Sequence, residues 1–139
     1  KNPAGRTQVD GPTEITDLDK TQANKKVVQD YIQLCLIPGK LDALETYVSK
    51  DQYMEHNAKG SDGLEALKAT LSKGDLTFQE NFMTVAEGNF VATLNRARFQ
   101  GQDLCQADIF RVENGKIVEH WDNAEPVPPK EEWANSGKF

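Results

Sequence analysis

The chain has 139 residues, 37 % of them hydrophobic and 27 % charged, with a formal net charge of −6. That length suits one domain with a core of its own. The acidic balance, with no run of clustered Lys and Arg, argues against a nucleic-acid partner, whose phosphates need such a cluster. No apolar run approaches the about 20 residues of a membrane-crossing helix, so no membrane partner is expected either.

Residues 1–16 are polar, carry Pro3, Gly5, Gly11 and Pro12, and read as a flexible arm ahead of a single domain over 17–139. Such an opening suits the mature start of a secreted or periplasmic protein, with a cytoplasmic protein as the alternative. "DKTQANKKVVQDYIQLCLI" follows a capping Asp17 or Asp19, and Val27, Val28, Tyr31, Ile32, Cys35 and Leu36 recur at three- and four-residue steps, which predicts an amphipathic helix. Pro38-Gly39 stops it. "LDALETYV" predicts a short second helix, "SKDQYMEHNAKG" an irregular link, and "SDGLEALKATLSK", capped at Ser61 or Asp62 and stopped at Gly74, a third helix.

After Gly74 the period changes. "LTFQENFMTVAE", "NFVATLNRARFQ", "DLCQADIFRVE" and "KIVEHWDNA" predict four strands, joined at Gly88-Asn89, Gly101-Gln102 and Asn114-Gly115. Helices followed by an antiparallel meander make an α+β chain, in which three helices cover one face of a curved sheet of about four strands and leave a conical cavity between the layers.

The last hairpin, "DIFRVENGKIVEHWD", carries ionisable residues inside its strands. Counting outward from a two-residue Asn114-Gly115 loop places Asp108, Phe110, Val112, Ile117, Glu119 and Trp121 on one face, and Ala107, Ile109, Arg111, Val118, His120 and Asp122 on the other. A carboxylate among Phe, Val, Ile and Trp is desolvated and its pKa rises, which tunes it as a base for proton abstraction. In the same count His120 lies opposite Asp108 and reads as structural. The two histidines, His56 and His120, lie far apart in the sequence without the convergence a metal site needs, so no metal is expected. Cys35 falls in the apolar stripe of the first helix and Cys105 on the face away from Asp108, so both thiols are expected to be free.

Four stretches resemble those of SnoaL-like polyketide cyclases, and more narrowly of the predicted SnoaL-like aldol-condensation-catalysing proteins: "DIFRVENGKIVEHWD", "YMEHNA", "VAEGNFVAT" and "PVPPKEEWANSGKF". The resemblance runs from about Asn24 to Phe139. It implies the cystatin-like, or nuclear-transport-factor-two-like, α+β cone and a homodimer through the outer sheet face. It also implies that Asp108 is the pocket acid/base, that His56 faces the pocket, and that Trp121 is the tryptophan of the hairpin. The chain departs from the pattern at Leu94, at Ala58 and in "DNAEPVP".

The enzymatic reading is cofactor-independent proton transfer on a small apolar or aromatic carbonyl compound, aldol cyclisation or isomerisation. Asp108 abstracts the proton, His56 stabilises the oxyanion or relays protons, and Trp121, Phe110, Tyr53, Tyr31 and Glu119 line the pocket. Two alternatives stand beside it: a non-catalytic small-molecule binder, and a dimerisation module whose cavity would be filled by side chains, because this fold hosts unrelated activities.

Overall fold

A computed structural model describes residues 1–139. Helix α1, Thr21–Asp30, runs directly into a π-helical segment, Tyr31–Leu36. The predicted single helix is therefore wider in its last turns, and Tyr31, Ile32, Cys35 and Leu36 all turn inward. Helix α2, Leu44–Tyr47, follows a 3-10 turn, and α3, Leu64–Ser72, ends just before Gly74. The strands are β1 Met54–Glu55, β2 Leu76–Glu87, β3 Phe90–Phe99, β4 Gln102–Glu113 and β5 Lys116–Pro126.

They form a five-stranded mixed sheet in the order β1-β5-β4-β3-β2, antiparallel except for β1 beside β5. The fold class is the expected α+β cone, with one strand more than the sequence suggests. Two residues are too few to show an alternating pattern, so "ME" inside the 49–60 link gives no strand signal. Bulges at Gln79, Phe82 and Val118, each an extra residue in its ladder, add the local twist that curves the sheet.

The apolar core fills the narrow end of the cone. Val28, Tyr31, Ile32, Cys35, Leu36 and Leu44 from the helical layer pack on Val91, Phe110, Val112 and Ile117 of the sheet. Cys35 donates its thiol to Lys40 O at 3.2 Å, and Cys105 lies across from Arg96 on the outer face.

The hairpin turn has the conformation expected of Asn-Gly, with positive φ at both Asn114 and Gly115. Val112 pairs with Ile117, as counting predicts. Val118 is then skipped, and Arg111 pairs with Glu119, Phe110 with His120, Ile109 with Trp121 and Asp108 with Asp122. One extra residue exchanges the two faces for everything beyond it. The count from the loop is correct for two pairs and reversed from there: His120 and Asp122 share the inner face with Asp108, while Glu119 and Trp121 face outward.

Residues 1–16 lie along the protein instead of hanging free. Arg6 forms a two-pronged ion pair with Asp62, the Trp121 indole donates to Asp10 O at 2.8 Å, and Thr16 and Asn89 exchange backbone and side-chain hydrogen bonds. Gly11 packs so closely on Trp121 that a Cβ would stand 2.7 Å from its ring.

Candidate functional site

Beyond Phe110 the two layers part and enclose an open cavity of about 730 Å³, within the range that holds a drug-sized molecule. Leu36, Leu67, Leu71, Leu76, Phe78 and Phe99 are among its apolar walls, and Gln106, Asp108, His120 and Asp122 form its polar end.

His120 is the centre of that end. Its Nε2 lies 2.7 Å from Asp108 Oδ1 and its Nδ1 2.8 Å from Glu55 Oε1. Both ring nitrogens therefore face carboxylates, and the ring packs on Phe110 with centroids 4.9 Å apart. Burial disfavours the charge, but Glu55 and Asp108 outweigh it and hold the imidazole pKa well above its ordinary 6.5. The two carboxylates thus favour the protonated ring.

Each flanking carboxylate is itself supported. Asp108 is buried and accepts from Gln106 Nε2 at 3.0 Å and Asn95 Nδ2 at 2.9 Å as well as from His120. Glu55 accepts from the Tyr53 hydroxyl at 2.8 Å and from Asn57 N at 3.0 Å. Burial alone would raise the Glu55 pKa, but His120 and these donors bring it below the ordinary carboxylate value. Asp122 is different. Its carboxylate accepts only from Asn57 Nδ2, at 3.0 Å to each oxygen. Burial raises its pKa against the opposing pull of His120, and Asp108 and Glu55 push it further up.

Asp108, His120 and Asp122 each present an atom within 4.8 Å of the others. His120, however, already has a carboxylate on each nitrogen, so the donor set is closed on itself as an ion-pair chain. The arrangement holds protons: an imidazolium between two supported carboxylates, and beside it a carboxyl group with raised affinity for a proton.

The sequence-derived candidates divide between the two faces. Asp108, Phe110, Tyr31 and Tyr53 line the cavity, and burial raises both tyrosine pKa values. His56, Glu119 and Trp121 do not reach it. His56 is buried on the outer side, with Nε2 2.7 Å from Glu119 Oε1 and Nδ1 facing Thr7 O at 2.7 Å and Asp10 Oδ1 at 2.9 Å. It stacks on Trp121 at 4.7 Å, and Arg111 binds the other oxygen of Glu119 at 2.7 Å.

Counting from the loop missed His120, Asp122 and Glu55. One signal for them was present. Both histidines follow a glutamate, in Glu55-His56 and Glu119-His120. Laid side by side in β1 and β5, the two dipeptides pair reciprocally, Glu55 with His120 inside and Glu119 with His56 outside.

No family model and no curated protein matches the sequence. Solved structures match the fold. An inferred ketosteroid isomerase from Kribbella flavida superposes with a TM-score of 0.68 at 13 % identity, over 86 % of this chain and 93 % of its own. An inferred polyketide cyclase from Acidithiobacillus ferrooxidans gives 0.61 at 12 % identity, over 74 % and 88 %. An epoxide hydrolase of Mycobacterium tuberculosis similar to limonene epoxide hydrolase gives 0.63 at 17 % identity, over 76 % and 85 %. An NTF2-like protein of unknown function from Cytophaga hutchinsonii also superposes, with a TM-score of 0.64 at 16 % identity over 83 % of this chain and 95 % of its own, and with the helical layer, the curved sheet and the cavity between them these matches show that the chain folds as a nuclear-transport-factor-two-like α+β cone.

Proposed function

We propose that the cavity performs cofactor-independent proton transfer on a small apolar or aromatic carbonyl compound, by aldol cyclisation or isomerisation, with Asp108 and His120 as its acid–base pair. The observation that carries this is His120 held between two carboxylates at one end of a cavity that also has leucine and phenylalanine walls. A ketone entering along the leucine and phenylalanine walls brings its oxygen and α-carbon to a site that both donates and accepts protons. Proton abstraction next to a carbonyl needs a base on the carbon and a donor on the developing enolate oxygen. In this assignment the substrate oxygen displaces Asp108 from His120 Nε2, so that the ring donates to the developing enolate oxygen while the released Asp108 takes the proton. His120 thus takes the role that the enzymatic reading of the sequence gives to His56 of "YMEHNA".

The test is turnover of a panel of β-diketones and aldols by wild type, Asp108→Asn and His120→Gln, followed by mass spectrometry. Wild type should convert at least one substrate and both variants should lose that conversion. Equal rates in all three would remove the assignment. A ligand that raises the melting temperature of every form with no turnover would favour the binding-protein reading. An open cavity weighs against a purely structural module.

For the partner surface we propose a second copy of the chain on the outer sheet face, where Met83, Val85 and Ile109 remain exposed beside the arm. Light scattering should give a dimer that Ile109→Lys converts to monomer.

A further inference from the structure

We infer that the N-terminal arm is a working part of the cavity, with Asn2 and Arg6 as positioning residues that fix Glu55 against His120. The inference concerns the site proposed above, but it stands on the geometry of the arm.

Glu55 sits on a strand of two residues at the edge of the sheet. So short a strand has few ladder bonds to set its position, and the arm supplies the rest. On one side the Glu55 N–H donates to Asp62 Oδ1 at 2.9 Å. Arg6 clamps that same carboxylate, with Nε at 2.9 and 3.0 Å and Nη2 at 2.7 Å. On the other side Asn2 Nδ2 donates to the Glu55 carbonyl at 2.6 Å and reaches Asn57 O at 3.2 Å.

Asn2 is only 6 % exposed. Its Oδ1 accepts from Ala4 N and Arg6 N at 3.0 and 2.9 Å, so the first residues fold into a knuckle around it. Gly60 closes the remaining side, where a Cβ would stand 2.4 Å from Glu55 Cγ. The arm then passes the cavity, which Gln8 helps to line, and reaches a second seat at Asp10 and Gly11 over His56 and Trp121.

The two seats can be separated. The first grips the backbone of a residue whose side chain holds His120, and the second touches only the outer cluster. If the first seat positions Glu55, releasing it weakens the Glu55–His120 contact even though neither residue is altered. An arm that merely rests on the surface would leave His120 untouched.

The experiment follows the ring signals of the two histidines by NMR during pH titration of the full chain, with no substrate present. The groups facing His120 are Glu55, Asp108 and Asp122. Asn2→Ala and Arg6→Gln should each lower the His120 midpoint by about one pH unit, the scale of losing one close opposite charge. Asp10→Ala, at the second seat, should leave it in place. Gly60→Ala, which crowds Glu55 without touching the arm, should lower it as well. Adding Asn2→Ala to Glu55→Gln should change nothing further. An unchanged His120 midpoint in both Asn2→Ala and Arg6→Gln would overturn the inference, as would a full additional drop in the Glu55→Gln background. Because no turnover is read, loss of the acid–base proposal would leave this test intact.

Discussion

The two faces of β5 carry the same chemistry to different ends. On each, a histidine from one Glu-His dipeptide meets the glutamate of the other. Outside, His56 and Glu119 are joined by Arg111, which also pairs with Glu113, and are sealed by Trp121 and the arm. Inside, His120 has Glu55 and Asp108 but no second cation beside it, and Asp122 adds another carboxyl group at the edge of open space. The difference teaches that a buried His–carboxylate pair is not by itself a functional signature. A guanidinium and access separate the two: the outer cluster holds Arg111 and is closed by Trp121 and the arm, whereas the inner one has no such cation and faces a cavity.

The strongest way to break this contrast is to disable each cluster in turn. Asp108→Asn and His120→Gln should each lower turnover by about 10²- to 10⁴-fold, the usual worth of a general acid or base, while His56→Gln leaves the rate per folded molecule unchanged. A rate loss from His56→Gln of the same size would erase the distinction. Arg111→Met should act the other way. It leaves buried Glu119 with His56 alone and should cost about 3 kcal/mol of stability, the low end for breaking a buried pair, read by urea denaturation, with no loss of ligand affinity in the folded fraction.

A smaller effect follows from pH. The folded-state pKa of His120 is raised, so its contribution to stability is complete below the ordinary 6.5 and is lost as pH rises through the folded value. The melting temperature of the wild type should therefore decline above neutrality, and His120→Gln should flatten that decline. Smallest is Trp121→Phe. It keeps the stacked ring but gives up the indole hydrogen bond to Asp10 O, a change of about 1 kcal/mol. The fluorescence of Trp133 and the cavity's affinity should be unaffected.

Much of this architecture was legible from side-chain periodicity. The apolar stripe of Val28, Tyr31, Ile32 and Cys35, the Gly74 stop and the turn residues between strands gave three helices and four of the five strands. Asp108 and Phe110 were placed on the cavity wall because they lie on β4, ahead of the bulge, and Tyr31 because it falls in the apolar stripe of the first helix, whereas Tyr53 lies in the irregular link, where no period supports it. What stayed hidden depends on single non-periodic events. Val118 sits in an ordinary Ile-Val-Glu run, and nothing in its identity announces that the ladder will skip it. β1 is too short to carry a pattern. The arm has the composition of a free tail, and its order comes from specific partners, Asn2 on Glu55 and Arg6 on Asp62, that composition cannot express.

The bulge at Val118 also bears on how such a chain can change over evolutionary time. Because Val118 is taken up as an extra residue, the strand beyond it keeps His120 and Asp122 on the cavity side. If the same residues ran in unbroken alternation from Ile117, Glu119 and Trp121 would take the cavity positions and His120 and Asp122 would face out. Losing the bulge while keeping Val118 is thus a parity operation on the binding site: it exchanges a histidine and an aspartate for a glutamate and a tryptophan without substituting any of them. Deleting Val118 would instead leave every pair beyond it in place. In a fold that hosts many chemistries, gaining or losing such a bulge offers a route between them that residue-by-residue comparison of aligned sequences does not record.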